Sequence, residues 1–266
     1  MKSVYKGSEK VAEFDDYSEL RVGGSKPAFI YEGNEIVYPN PVKDGLVLWY
    51  DFSGRTNADS QRGIAEDLSG NGNHGTLQNF NFTPESGYDK NKLLFDGVDD
   101  RVIEISPAVN AVYTYESTFL ISSKQSDWGG VFGNYNHKSG DRAGGNISAF
   151  KNATSSSVRV AYATSSGEYR FVSTVVDVEQ VNHVTAVFGE GYERVYINGE
   201  IRNENNNGYT PIPSTDGFGL SLGVWESVPS YTFDGDVFSV RAYNRPLTPE
   251  EIAHNYAIEK ERFGIE

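Results

Sequence analysis

No cysteine occurs in the 266 residues. Disulfide frameworks, thiolate metal sites and cysteine nucleophiles are therefore excluded. Basic residues are scarce: 23 Lys and Arg stand against 37 Asp and Glu, giving a net charge of −14, and they form no run. A duplex-binding surface needs clustered Lys and Arg to neutralise phosphates. Nucleic acid and anionic membrane are thus poor partners, while a neutral glycan, a divalent cation or a protein surface stays open. No 18-residue apolar run exists, so no membrane-spanning helix is expected. The opening MKSVYKGSEKVAEF lacks the apolar stretch of a signal peptide. Synthesis in a cytoplasm is expected, with any action outside the cell reached through assembly into a larger particle.

What is abundant is aromatic. The 17 Tyr and 15 Phe favour pleated, half-buried surfaces, and a 38% hydrophobic fraction can supply a core. From Gly45 onward, strand-like runs recur near Leu46–Phe52, Lys92–Phe95, Arg101–Ile105, Ser117–Ser122, Val131–Tyr135, Ile147–Phe150, Val158–Ala163 and Tyr169–Ser173. Others lie near His183–Phe188, Arg194–Ile197, Gly219–Val224 and Asp236–Tyr243. Gly, Asn, Ser and Asp clusters separate them, and no helical pattern intervenes. An all-β, antiparallel sandwich is expected. Glu190–Gly191 and Asn198–Gly199 supply hairpin chemistry around YERVYINGE.

Residues 1–42 read as a separate segment. AFIYEGNEIVY suggests a hairpin of Ala28–Tyr31 and Glu35–Tyr38, and Pro39 and Pro41 mark a rigid linker before a main domain over 43–266. The one helix expected is LTPEEIAHNYAIEKERF. Thr248 is its N-cap, Pro249 its first residue and Glu251 the closing member of a capping box. Ile252 and Tyr256, four apart, share its buried face.

Four blocks in order, DLSGNGNHGTL, LLFDGVDDRVIEI, VYINGE and FDGDVFSVRAYNRPLTPEEI, resemble laminin-G-like, concanavalin A-like domains over roughly residues 45–260. The resemblance implies a jelly-roll β-sandwich of two antiparallel sheets, used by relatives for glycan binding, adhesion and virion appendages. Many such domains carry Trp where this chain has Asn182. The segment IYEGNEIVYP is similar to short stretches in structural proteins of tailed phages. That resemblance implies a virion protein, joined to other virion proteins through the N-terminal segment, oligomeric within the assembly, and facing a host cell-wall glycan. A bacterial carbohydrate-binding module and a ligand-free capsid or tail decoration protein are the alternatives.

GNGNHG has the glycine spacing of a dinucleotide loop, but TLQNFNFTP follows it where a helix would have to start. Asp67, Ser69, Asn71 and Gly72 match the front of a calcium loop, but Gln78 stands where the closing Glu belongs. Laminin-G-like domains often hold calcium between loops. The resemblance therefore offers Asp67, Asn71, Asp96, Asp99, Asp100, Asp234 and Asp236 as candidate ligands, against the reading that these acids are solvated turn residues. His74 is expected to pack under its loop with its N–H on a backbone carbonyl.

The two-glutamate strand of concanavalin A-like glucanases is missing, and no G-x-S-x-G occurs, so no enzyme is expected. Glycan binding needs an aromatic platform beside polar groups. Trp128 and Tyr135 in DWGGVFGNYN, and Trp225 and Tyr231 in GVWESVPSY, are the candidates, against the reading that each caps an edge of the core. Trp49 is read as core.

Overall fold

A computed structural model describes residues 2–6, 9–14, 27–32, 35–105, 113–134, 142–164, 167–212, 219–225 and 227–266. The chain divides into two compact units, Met1–Val42 and Lys43–Glu266. In the first, β1 (Lys2–Lys6) pairs with β2 (Glu9–Phe14), and β3 (Ile30–Glu32) pairs with β4 (Glu35–Tyr38), both antiparallel. The β3–β4 hairpin is the one expected, and its turn residues Gly33 and Asn34 lie outside the described residues. The β1–β2 hairpin was not anticipated.

The second unit holds β5 (Leu46–Asp51), β6 (Ile64–Ala65), β7 (Gly75–Gln78), β8 (Gly87–Asp89), β9 (Lys92–Asp96), β10 (Arg101–Ile105), β11 (Tyr113–Ile121) and β12 (Asp127–Gly133). It continues with β13 (Gly145–Lys151), β14 (Ser156–Ala163), β15 (Tyr169–Val175), β16 (Val181–Gly189), β17 (Tyr192–Ile197), β18 (Glu200–Asn205), β19 (Leu220–Leu222), β20 (Asp234–Tyr243) and the helix α1 (Pro249–Phe263). The first sheet runs β15-β14-β13-β12-β19-β10-β7-β6, and the second runs β18-β17-β16-β11-β20-β9-β8. β5 pairs with the half of β20 that β9 leaves open. Every pairing is antiparallel, so the expected jelly-roll sandwich is the fold.

The side-chain period of two sorts each strand. On β14, Val158, Val160 and Tyr162 are fully buried in the common core, while Ser157 and Arg159 between them are only partly covered. Leu48, Val102, Phe119, Ile147, Val184 and Val237 join the same core at 0% exposure. Each such burial contributes roughly 1.5–3 kcal/mol. Trp49 is also fully buried, as expected. Asn198 and Gly199 take positive φ, 52° and 76°, as a tight two-residue turn requires.

The helix begins as its sequence prescribes. The Thr248 side chain accepts from the Glu251 N–H, Glu251 returns to the Thr248 N–H, and Pro249 occupies the first turn. Its buried face differs from expectation: Ile252 is covered, but so are Asn255 and Glu259. They meet polar residues on the outer face of the second sheet. Asn255 Nδ2 donates to Glu116 at 2.9 Å, and Ser239 Oγ donates to Glu259 at 2.6 Å. The helix therefore occupies that face.

Candidate functional site

The outer face of the first sheet carries a side-chain ladder across four strands. Trp128 on β12 stands opposite Phe150 on β13, with ring centroids 4.6 Å apart. The Arg159 guanidinium on β14 lies 4.0 Å from the Trp128 ring centroid and 4.2 Å from that of Phe171 on β15. Phe171 is 44% exposed. Ser148, Ser157 and Ser173 share the face by strand alternation. Arg159 Nε donates weakly to Ser173 Oγ at 3.4 Å. Beyond Phe150, at the strand ends, a groove of about 340 Å³ is lined by Lys124, Gln125, Asp127, Phe150, Lys151 and Asn152 among others.

Trp128 thus sits on a strand rather than in a loop. The glycines after it have a packing reason. A Cβ on Gly130 would lie 2.3 Å from the Val224 carbonyl carbon and the Trp225 nitrogen. The backbone of Val224 and Trp225 lies against Gly130 there, and the Gly130 N–H donates to the Tyr231 carbonyl at 3.0 Å. This placement corrects the reading of Trp225 as a platform. Its ring is only 6% exposed, because it packs on Ala163 with Tyr169, Ile212 and Tyr231 as a small second core. Tyr231 stays partly exposed at its edge, 5.7 Å from the Trp225 ring. Tyr135 lies outside the described residues. Phe150, Arg159 and Phe171 were missed, although the alternation in SSVRVAYA was enough to put Arg159 opposite the core.

The candidate calcium ligands do not all converge. Asp96, Asp99 and Asp100 do: one carboxylate oxygen from each falls within 4.8 Å of the others. Asp234 is the cross-strand partner of Asp96 and packs on Gly97. Asp236 is instead held by Lys92 Nζ at 2.6 Å. Burial pushes the Asp100 carboxyl up to about 6, and the charges of Asp96 and Asp99 add to the rise against hydrogen bonds from Ser86 and the Asp96 N–H. A hard cation takes oxygen ligands at this spacing and would relieve that repulsion. Asp96, Asp99 and Asp100 therefore fit calcium in charge and span.

Asp67 and Asn71 have a different task. Asp67 is buried, and its oxygens accept from the N–H groups of Trp49, Ser69 and Asn73 and from Ser69 Oγ, at 2.9–3.0 Å. Asn71 Nδ2 donates to the Leu46 carbonyl at 3.1 Å. Together they tie the glycine-rich loop to β5, and the carboxylate is saturated by backbone donors. His74 also departs from expectation: its ring is exposed, and Nδ1 accepts from the Asp67 N–H at 3.1 Å.

Two packed antiparallel sheets, one outer face filled by a helix and the other bearing an aromatic ladder, define a lectin-like jelly-roll domain. Residues 99–253, more than half of the chain, match the concanavalin A-like lectin/glucanase superfamily in its laminin-G form, and the chain belongs to that superfamily. No curated protein matches the sequence. Among solved structures, Trypanosoma rangeli sialidase in complex with sialic acid is similar over 84% of this chain and 34% of its own, at 18% identity and a TM-score of 0.57. The receptor-binding domain of botulinum neurotoxin D is similar over 81% and 53%, at 13% identity and a TM-score of 0.58. The chain thus spans about a third and about half of these structures, and the likeness is one of fold.

Proposed function

We propose that the domain is a non-enzymatic glycan-binding module whose binding face is the outer side of the first sheet. The observation that carries the reading is the Phe150–Trp128–Arg159–Phe171 ladder, with serines between its rungs and a groove at its end. Aromatic faces beside a few fixed polar groups are the usual make-up of a small-ligand site. The groove lining includes one carboxylate, Asp127, where glycoside hydrolysis uses two flanking the bond. The test is tryptophan fluorescence against an array of bacterial cell-wall glycans. Trp128→Ala should weaken any response by about tenfold or more, since a stacked ring contributes on the order of 1 kcal/mol beyond its buried area. Silence from every glycan would favour a ligand-free decoration role.

The same reading places the module on a phage particle, held to other virion proteins through residues 1–42 and oligomeric there. It rests on the phage-like IYEGNEIVYP segment and on the compactness of that unit. A secreted bacterial carbohydrate-binding module is the rival. Calcium at Asp96, Asp99 and Asp100 is part of the proposal. At a hundredfold excess over its dissociation constant it should add roughly 2.7 kcal/mol of stability. Melting with calcium against melting with EDTA reads this directly, and identical curves would remove the ion from the reading.

A further inference from the structure

We propose that this face selects an acidic sugar, a pyranose unit bearing a carboxylate, and that Arg159 anchors that carboxylate. The inference rests on the glycan-binding reading above. Its starting point is a local exception to a strongly acidic chain. Arg55, Arg170, Arg194, Arg241, Arg245 and Arg262 each sit against an Asp or Glu of the protein. Arg159 does not. Among the described residues no carboxylate reaches it, and its neighbours are the rings of Trp128 and Phe171, Ser173 Oγ and the Tyr169 side chain. Lys151 makes no ion pair within 4 Å among the described residues, although Asp127 is its cross-strand partner, and it lines the adjoining groove. Lys124 lines it too, shared with Glu179 and Asp234, and Asp127 is the opposing charge.

Stacking between two rings holds the guanidinium plane, and a planar fork of donors matches a planar carboxylate two bonds at a time. Arginine is also weakly hydrated, so it can sit between rings at small cost. A sugar acid presents both matching surfaces at once: C–H groups for Trp128 or Phe171, and an anion within one ring's width for Arg159. A neutral sugar leaves the cation unmatched. The negative chain as a whole disfavours a polyanion, which suits a single acidic unit rather than a long charged polymer.

The test uses the full chain and paired probes: methyl glucuronoside and the methyl glycoside of N-acetylneuraminic acid, each against methyl glucoside, with shifts of the Trp128 indole N–H followed by NMR. The acidic probes should bind about tenfold more tightly than the neutral one, the range of a charge-assisted hydrogen bond. Arg159→Gln should erase that preference, Arg159→Lys should retain part of it, and raising salt from about 0.1 to 0.5 M should weaken only the acidic probes. A melting curve on each variant separates loss of contact from loss of fold. Equal binding of acidic and neutral sugars, unchanged by Arg159→Gln, overturns the acidic specificity while leaving the glycan reading intact. Binding of glycerol phosphate in preference to either acid overturns the carboxylate assignment. If no probe shifts Trp128, both readings fall.

Discussion

Glu193 shows how far a single residue can depart from its type. It lies on β17 at 0% exposure, one carboxylate oxygen 3.5 Å from Asn205 Nδ2 and the other without a partner. Burial raises its carboxyl to about 8, against smaller opposing effects from Asn205 and Arg170. The group is therefore neutral in the folded protein at pH 7, while in the unfolded chain it ionises near about 4.3. Folding holds a proton that unfolding releases, so this group removes stability as pH rises from about 4.3 to about 8 and changes little above that. Glu193→Gln should raise the melting temperature by a few degrees at pH 8 and flatten its slope across that window. A variant that melts lower than the parent at pH 8 would contradict the assignment. Nothing in YERVYI marks this glutamate, because alternation assigns it to the core side as readily as it assigns Val195, and only the partner sheet decides whether water reaches it. Trp225 is the converse case. A tryptophan in a Gly- and Ser-rich loop has the composition of a platform, yet the loop folds back over Gly130 and buries it.

At the scale of elements, α1 was legible from its caps but not from its buried face. Threonine, proline and glutamate at fixed offsets act within one turn, so sequence spacing is enough to read them. The face is decided by a polar network that spans the chain. Arg241 donates to Glu116 at 2.9 Å and to Glu259 at 2.8 Å, Thr118 Oγ1 donates to Glu259 at 3.0 Å, and His183 Nδ1 lies 2.9 Å from Thr118 Oγ1. Arg262 closes the far end on Asp51 and Ser53. Burial alone would raise the Glu259 carboxyl, but Arg241 and Arg262 hold it down at about 2. Removing one partner of such a network leaves a buried charge unmatched. Arg241→Met should therefore cost about 3–5 kcal/mol, measured by urea unfolding at pH 7. A loss below about 1 kcal/mol would mean the helix is held chiefly by its apolar contacts, such as the 5.0 Å pairing of Phe238 with Phe263. β18 was missed for a related reason: EIRNEN is exposed and polar, and only pairing with β17 makes it a strand.

For the molecule as a whole, the two compact units imply separability. A chain starting at Lys43 should fold with the same cooperative melting as the parent and keep its glycan response, while failing to enter any particle the full chain enters. Normal assembly of the truncated chain would end the anchoring proposal. Strand runs, turn residues and caps are local matters of steric and hydrogen-bonding preference, so the sequence by itself determined the β class, the β3–β4 and β16–β17 hairpins, the helix start and the ordered blocks of the jelly roll. Whether a given acid, arginine or ring meets solvent, a like charge or a partner depends on strands far apart in the chain. Only the folded chain decided that Asp96, Asp99 and Asp100 converge, that Asp236 meets Lys92, that Asp67 is tied into its own loop and that Arg159 lies between Trp128 and Phe171, because these contacts depend on which strands stand side by side within a sheet and on how each loop folds against them.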